Sequence, residues 1–190
     1  MATNYKAIAK RLKFEGRAFI NGKYVNAIDG KKFETINPAT GELITPTVSI
    51  STTSEVADII SKANAAQESW SELSLDERIE YLRKGLAAVE PIASKLAETI
   101  TKEMGKIPAE AEVEVSDAIE LKDEWIDLVK GANEDVHLLG DDGEGESVIV
   151  RDALGVVVVI SPWNFPAGEI PFLAVPALVA GNAVIVKPSE

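Results

Sequence analysis

Four polar side chains near the end of the chain are the ones whose types and spacing could do chemistry together: Asn164, Lys187, Ser189 and Glu190. Asn164 lies in Ser161-Pro162-Trp163-Asn164-Phe165-Pro166, directly after the apolar run Val156 to Ile160. Lys187-Pro188-Ser189-Glu190 directly follows a second apolar run, Ala183 to Val186. Continuous β-branched runs of this kind mark strands buried on both faces, as in parallel sheets. Residues 168–180 between them read as an apolar helix, with Pro171 in its first turn, a kink expected at Pro176 and a stop at Gly181. Strand, helix and strand make a right-handed βαβ unit. Ligands of open parallel sheets bind beyond the carboxyl ends of the strands. Both polar segments lie just past such ends, on one edge of the sheet. The candidate ligand-facing segments are therefore the Pro162-Trp163-Asn164 loop past one strand end and Lys187-Pro188-Ser189-Glu190 past the other. An ammonium that donates and a carboxylate that accepts can together hold a vicinal diol such as ribose. The same residues are equally consistent with a surface ion pair and a turn-forming asparagine.

Other chemistry is thinly supplied. The chain has no cysteine, which removes disulfides, thiolate metal sites and thiol nucleophiles. Its one histidine, His137, sits in a polar stretch and reads as an ordinary exposed or half-buried residue. Glu110, Glu112 and Glu114 read as a solvated helix face rather than a metal or acid-base cluster, since no ligand-type histidine accompanies them; no metal site is expected. The glycine-rich stretch Gly140-Asp141-Asp142-Gly143-Glu144-Gly145-Glu146 carries acids that repel phosphate, so it reads as a linker or hairpin tip. Neither a dinucleotide fingerprint nor a P-loop is present.

The elements that must carry the βαβ unit lie upstream. Asn21-Gly22 between two short apolar-aromatic runs predicts a tight hairpin, and Pro38 with Gly41 predicts a second, longer turn. Thr52 with Glu55, and Ser74 with Glu77, predict two capping boxes. Behind the first, Val56, Ile59, Ile60, Ala63 and Trp70 fall on one face; behind the second, Ile79, Leu82, Leu86 and Val89 do so. Pro91 predicts the opening of a third helix that closes near Gly105. Residues 108–131 predict one fourth helix, with Val115, Ile119, Ile126 and Val129 inward and its carboxylates outward. Residues 144–154 predict a strand leaving the acidic loop.

At 190 residues, 46% hydrophobic and 26% charged, the chain has a globular composition and enough length for a real core. A net charge of −12 without a local basic patch argues against nucleic acid and anionic membranes as partners. With neither an apolar run long enough for a membrane span nor a secretory signal, the expected setting is the cytoplasm.

Taken together, "GVVVVISPWNFP" and "ALVAGNAVIVKPSE", with the lysine 23 residues after Asn164, resemble the aldehyde dehydrogenase superfamily. So do "INPATGE" (36–42), "AQESW" in the first helix, "ERIEYL" in the second and "EMGK" (103–106). The resemblance runs from about residue 18 to the end. It implies an α/β fold: β-hairpins and helices over 1–139, a linker and strand over 140–154 that joins an oligomerisation sheet, and over 155–190 the first βαβ of a Rossmann-like NAD(P)-binding sheet. It implies that Asn164 donates its side-chain amide to the oxygen of an aldehyde substrate, helping to form an oxyanion hole. It also implies that backbone at Ile160 to Trp163 contacts the nicotinamide-side ribose and pyrophosphate, and that Lys187 and Glu190 hold the adenine-side ribose. A glutamate there repels a 2′-phosphate, so NAD is implied ahead of NADP. The family's nucleophilic cysteine, general-base glutamate and pyrophosphate-binding turn have no counterpart in these residues. The expectation is therefore an N-terminal portion of an aldehyde dehydrogenase, inactive by itself, whose full-length parent is a homodimer or homotetramer. The alternatives are a catalytically dead nucleotide-binding or interaction module that pairs with a second chain, and a separate Rossmann-type enzyme that shares the βαβ unit.

Overall fold

The structure is a computed structural model that describes residues 16–49, 51–120, 123–132, 134–139 and 145–189. Two antiparallel hairpins come first. β1 (Ala18–Ile20) pairs with β2 (Lys23–Val25) across Asn21 and Gly22, whose φ values of 49° and 74° are those the turn chemistry demands. β3 (Lys32–Ile36) pairs with β4 (Leu43–Ser49), with a register irregularity between Phe33 and Thr35. Its turn is fixed by Asn37 Oδ1, which accepts from the Ala39 amide at 2.9 Å, and by Gly41 at φ 73°.

Both capping boxes are present, at Thr52 with Glu55 on α1 (Thr53–Ser71) and at Ser74 with Glu77 on α2 (Leu75–Ala87). The apolar face of α1 is narrower than its spacing predicts: Ile59, Ala63 and Trp70 are half-buried, whereas Val56 and Ile60 are exposed. Pro91 sits in a 3₁₀ turn (Glu90–Ile92) that leads into α3 (Ala93–Met104), which Gly105 closes in the left-handed conformation at φ 81°.

The single helix expected over 108–131 is two helices, α4 (Pro108–Ile119) and α5 (Asp123–Ala132). Glu120 is extended (φ −88°, ψ 109°) and ends the first. The two helices bury themselves in different places. On α4, Ala111 and Val115 pack with Ala97 and Ile100 of α3; on α5, Ile126 packs with Ile79 of α2 and with Val175 and Val179. One straight rod would not serve both clusters.

β5 (Val136–Leu139) and β6 (Glu146–Ile149) form a third hairpin. It straddles the boundary expected at residue 140, and its second strand is shorter than the expected 144–154. Residues 140–144, within the stretch expected to be a linker or hairpin tip, lie outside the described residues, whereas His137 on β5 is exposed, as its polar surroundings predict.

β7 (Val156–Ile160) and β8 (Ala183–Lys187) pair in parallel, joined by α6 (Glu169–Val179), which contains Pro176. The βαβ unit expected from the sequence is thus in place. β7 is not buried on both faces, however. Val159 is 3% exposed, while its neighbours Val158 and Ile160 are 54% and 67% exposed. In a two-stranded ribbon, α1 and α6 cover only part of the strand surface. Among the described residues no helix is long and apolar enough to cross a membrane.

Candidate functional site at the carboxyl edge of the parallel strands

Ile160 and Lys187 are register partners at the last rung of the β7–β8 pair, and the Ser161 amide donates to the Lys187 carbonyl at 3.0 Å. The Pro-Trp-Asn loop and the Lys-Pro-Ser segment therefore leave the sheet side by side, as parallel pairing of the two apolar runs requires. Trp163 is 69% exposed, and Asn164, Pro162, Lys187 and Pro188 are also exposed. Ser189 is half-buried, and Glu190 lies outside the described residues.

Ser161 differs from its neighbours. It is buried, its amide is committed to Lys187, and its hydroxyl donates to the Pro166 carbonyl at 3.0 Å. Both of its donors bind the protein, closing the loop from 161 to 166 on itself.

The loop rests on two buried charges that the sequence reading did not place here. Glu114 was expected among solvated carboxylates; Glu110 and Glu112 are exposed, but the Glu114 side chain is only 1% exposed. Its Oε1 accepts from the amides of Ala167 (2.9 Å) and Gly168 (3.0 Å), and its Oε2 forms an ion pair and hydrogen bond with Lys106 Nζ. Lys106 also donates to the Asn164 carbonyl at 2.9 Å, and its ammonium lies 4.0 Å from the centre of the Phe165 ring. A signal for Glu114 was available. It lies three residues after Ala111 and four before Ala118, on the stripe that buries α4. Among the described residues, no group of three or more His, Asp or Glu side chains could hold a metal ion.

The other end of α6 is anchored from upstream. Trp70 Nε1 donates to the Leu178 carbonyl (2.8 Å), Gln67 Nε2 to the Gly181 carbonyl (3.1 Å) and Arg78 Nε to the Val179 carbonyl (2.9 Å). Asn182, buried, donates to the Ala177 carbonyl and accepts from the Gly155 amide. These bonds satisfy the carbonyls that a helix end leaves unpaired. They hold the βαβ unit, and with it the strand ends, against α1 and α2.

Residues 24–190 match the model of the aldehyde dehydrogenase family. A mitochondrial succinate-semialdehyde dehydrogenase of Oryza sativa subsp. japonica is 37% identical over 182 residues, a match covering 92% of this chain and 33% of that protein. Among solved structures, an NADP dependent enzyme of E. coli superposes with a TM-score of 0.85 at 31% identity, over 93% of this chain and 36% of that one. A betaine aldehyde dehydrogenase of Staphylococcus aureus in complex with NAD+ superposes with a TM-score of 0.82 at 28% identity, over 92% of this chain and 35% of that one. The chain thus spans about a third of the length of the proteins it matches.

Proposed function

The chain belongs to the aldehyde dehydrogenase family, and from that premise we propose that it forms the N-terminal third of an enzyme that oxidises an aldehyde to a carboxylic acid with NAD or NADP. The observation that carries the reading is the last rung of the parallel pair. Ile160 opposite Lys187 brings the Asn164 loop and the Lys187–Ser189 segment to one carboxyl edge, where α/β sheets bind ligands.

Asn164 is the catalytic residue of this proposal. Its exposed amide donates to the aldehyde oxygen as negative charge develops there. A preorganised donor of this kind is worth about 3 kcal/mol. The bonding of the loop supports this role: Pro162 and Pro166 restrict the backbone, the Ser161 hydroxyl closes the loop, and Lys106 holds the Asn164 carbonyl.

The donor set suits a dinucleotide. The ammonium of Lys187 and the hydroxyl of Ser189 can bind ribose hydroxyls, with Glu190 as the expected acceptor. Backbone at Ile160, Ser161, Pro162 and Trp163 lines the neighbouring rim, where Ser161 contributes its carbonyl, since both its donors are committed inward. When bound, the nicotinamide supplies the hydride acceptor. The acidic Glu190 favours NAD over a 2′-phosphorylated cofactor by charge repulsion.

The covalent step of this chemistry needs a nucleophile that is good at neutral pH. With no cysteine, this chain by itself has no aldehyde oxidation activity under the proposal. A cytoplasmic setting, and a homodimeric or homotetrameric whole enzyme with β6 near the subunit interface, belong to the same reading. The test is aldehyde-dependent reduction of NAD and NADP, followed at the reduced nicotinamide absorbance, for the 190-residue chain and for the complete enzyme. Turnover is expected only in the complete enzyme. Turnover by the chain alone, or none by the complete enzyme across aliphatic and semialdehyde substrates, would overturn it.

A further inference from the structure

We propose that Lys106 and Glu114 are positioning residues that fix the backbone of residues 164–168 and thereby set where the Asn164 amide points. The consequence for rate rests on the reading of Asn164 given above; the clamp itself rests on geometry alone.

The pair touches the loop from both ends. Lys106 Nζ donates to the Asn164 carbonyl (2.9 Å) and faces the Phe165 ring, while Glu114 Oε1 accepts from the Ala167 and Gly168 amides (2.9 and 3.0 Å). The Lys106–Glu114 ion pair joins the two grips, with side chains 6% and 1% exposed. The left-handed Gly105 turns the chain off α3 and starts the connection that carries Lys106. Gly168 lets the backbone approach, since a Cβ there would lie 3.3 Å from Glu114 Cγ.

Stability alone is a poor reason for this arrangement. Two buried charges carry a desolvation penalty that a well-packed apolar pair avoids. An apolar pair, however, cannot donate to one carbonyl and accept from two amides of the same five-residue stretch. A carboxylate accepting backbone amides and an ammonium on a carbonyl are charge-assisted bonds, stronger and more directional than neutral ones. With its carbonyl held from beneath, Asn164 keeps its side chain exposed at the sheet edge.

The test is residue-resolved amide exchange by NMR on the 190-residue chain, joined to single-turnover hydride transfer in the complete enzyme, for Lys106→Met, Glu114→Gln and the double variant. In the wild type, the Ala167 and Gly168 amides should be protected. Lys106→Met strips the buried Glu114 carboxylate of its counter-ion and should thereby speed their exchange about tenfold, with the amides of Val115 and Val159 unchanged. The double variant leaves no unpaired buried charge, and its glutamine oxygen still accepts; it carries the test if a single variant unfolds. Its Ala167 and Gly168 protection should return, while hydride transfer stays slow with an unchanged KM for NAD, because the Asn164 carbonyl still lacks its donor. Unprotected wild-type amides, unaltered exchange in Lys106→Met, or wild-type hydride transfer in the double variant would overturn the proposal. If Asn164→Ala itself leaves turnover intact, the catalytic reading of Asn164 fails, and the exchange rates still decide whether the clamp exists.

Discussion

Trp70 Nε1 donates to the carbonyl of Leu178 at 2.8 Å, tying the last turn of α1 to the end of α6 across 108 residues of sequence. The contact is half-buried, and the indole also packs against Tyr81, with ring centroids 6.0 Å apart. Trp70→Phe keeps a ring and removes the donor. It should lower stability by about 1–2 kcal/mol, read as a lower urea midpoint with an unchanged slope. An unmoved midpoint would show that water replaces the indole at no cost.

Two glycines should respond in opposite directions to alanine. Gly105 has φ 81°, and a Cβ there would lie only 3.1 Å from Pro38 Cγ, so Gly105→Ala should destabilise by about 1–2 kcal/mol from backbone strain alone. Gly85 lies inside α2 with nothing within 4 Å of its Cβ position, so Gly85→Ala should stabilise by about 0.5–1 kcal/mol. Thermal melts of the two variants check both signs; a shift in the same direction for both would contradict the assignment.

The two capping boxes make a pH prediction. Donation from the Thr52 amide and hydroxyl holds the Glu55 carboxyl below its ordinary 4.5. The Ser74 hydroxyl and amide do the same for Glu77. The folded chain therefore binds these protons less readily than the unfolded chain. The caps' contribution is complete above pH 4.5 and is lost as pH falls through the lowered folded values. Glu55→Gln/Glu77→Gln should flatten the acid limb of a stability–pH curve; an acid limb as steep as the wild type's would place the titration elsewhere.

NAD affinity separates the two readings of the isolated chain. Under the proposed function the chain contributes Lys187 and Ser189 to the cofactor site without a glycine-rich pyrophosphate turn. The loss of a few charge-assisted hydrogen bonds, at roughly 1.5–3 kcal/mol each, moves a micromolar site to millimolar or weaker. Calorimetric titration with NAD should show weak binding of that order. Micromolar affinity would favour a nucleotide-binding module in its own right.

What was legible in the sequence was local or followed from pairing rules. The Asn21-Gly22 hairpin and both capping boxes are settled within four residues. The adjacency of the Asn164 loop and Lys187 follows once two apolar runs flank a helix. What was not legible depends on distant partners. Glu120 breaks the helix because α4 and α5 serve different clusters, and no breaker residue announces it. β5 is a strand through its antiparallel pairing with β6. The spacing of Glu114 from Ala111 and Ala118 marks it as inward, but its partners, Lys106 and the loop amides, are not written in that spacing. The upstream motifs gain a physical reason only in three dimensions. Gln67 and Trp70 of "AQESW", Arg78 of "ERIEYL" and Lys106 of "EMGK" each donate to a backbone carbonyl of the βαβ unit or its connecting loop.

On the function proposed above, this edge presents Asn164 as the oxyanion donor of an aldehyde dehydrogenase. The most direct measurement is the single-turnover rate of hydride transfer in the complete enzyme carrying Asn164→Ala, with NAD affinity measured in parallel. The expected result is a loss of about 100-fold or more with NAD affinity nearly unchanged. A wild-type rate of hydride transfer in that variant would contradict it.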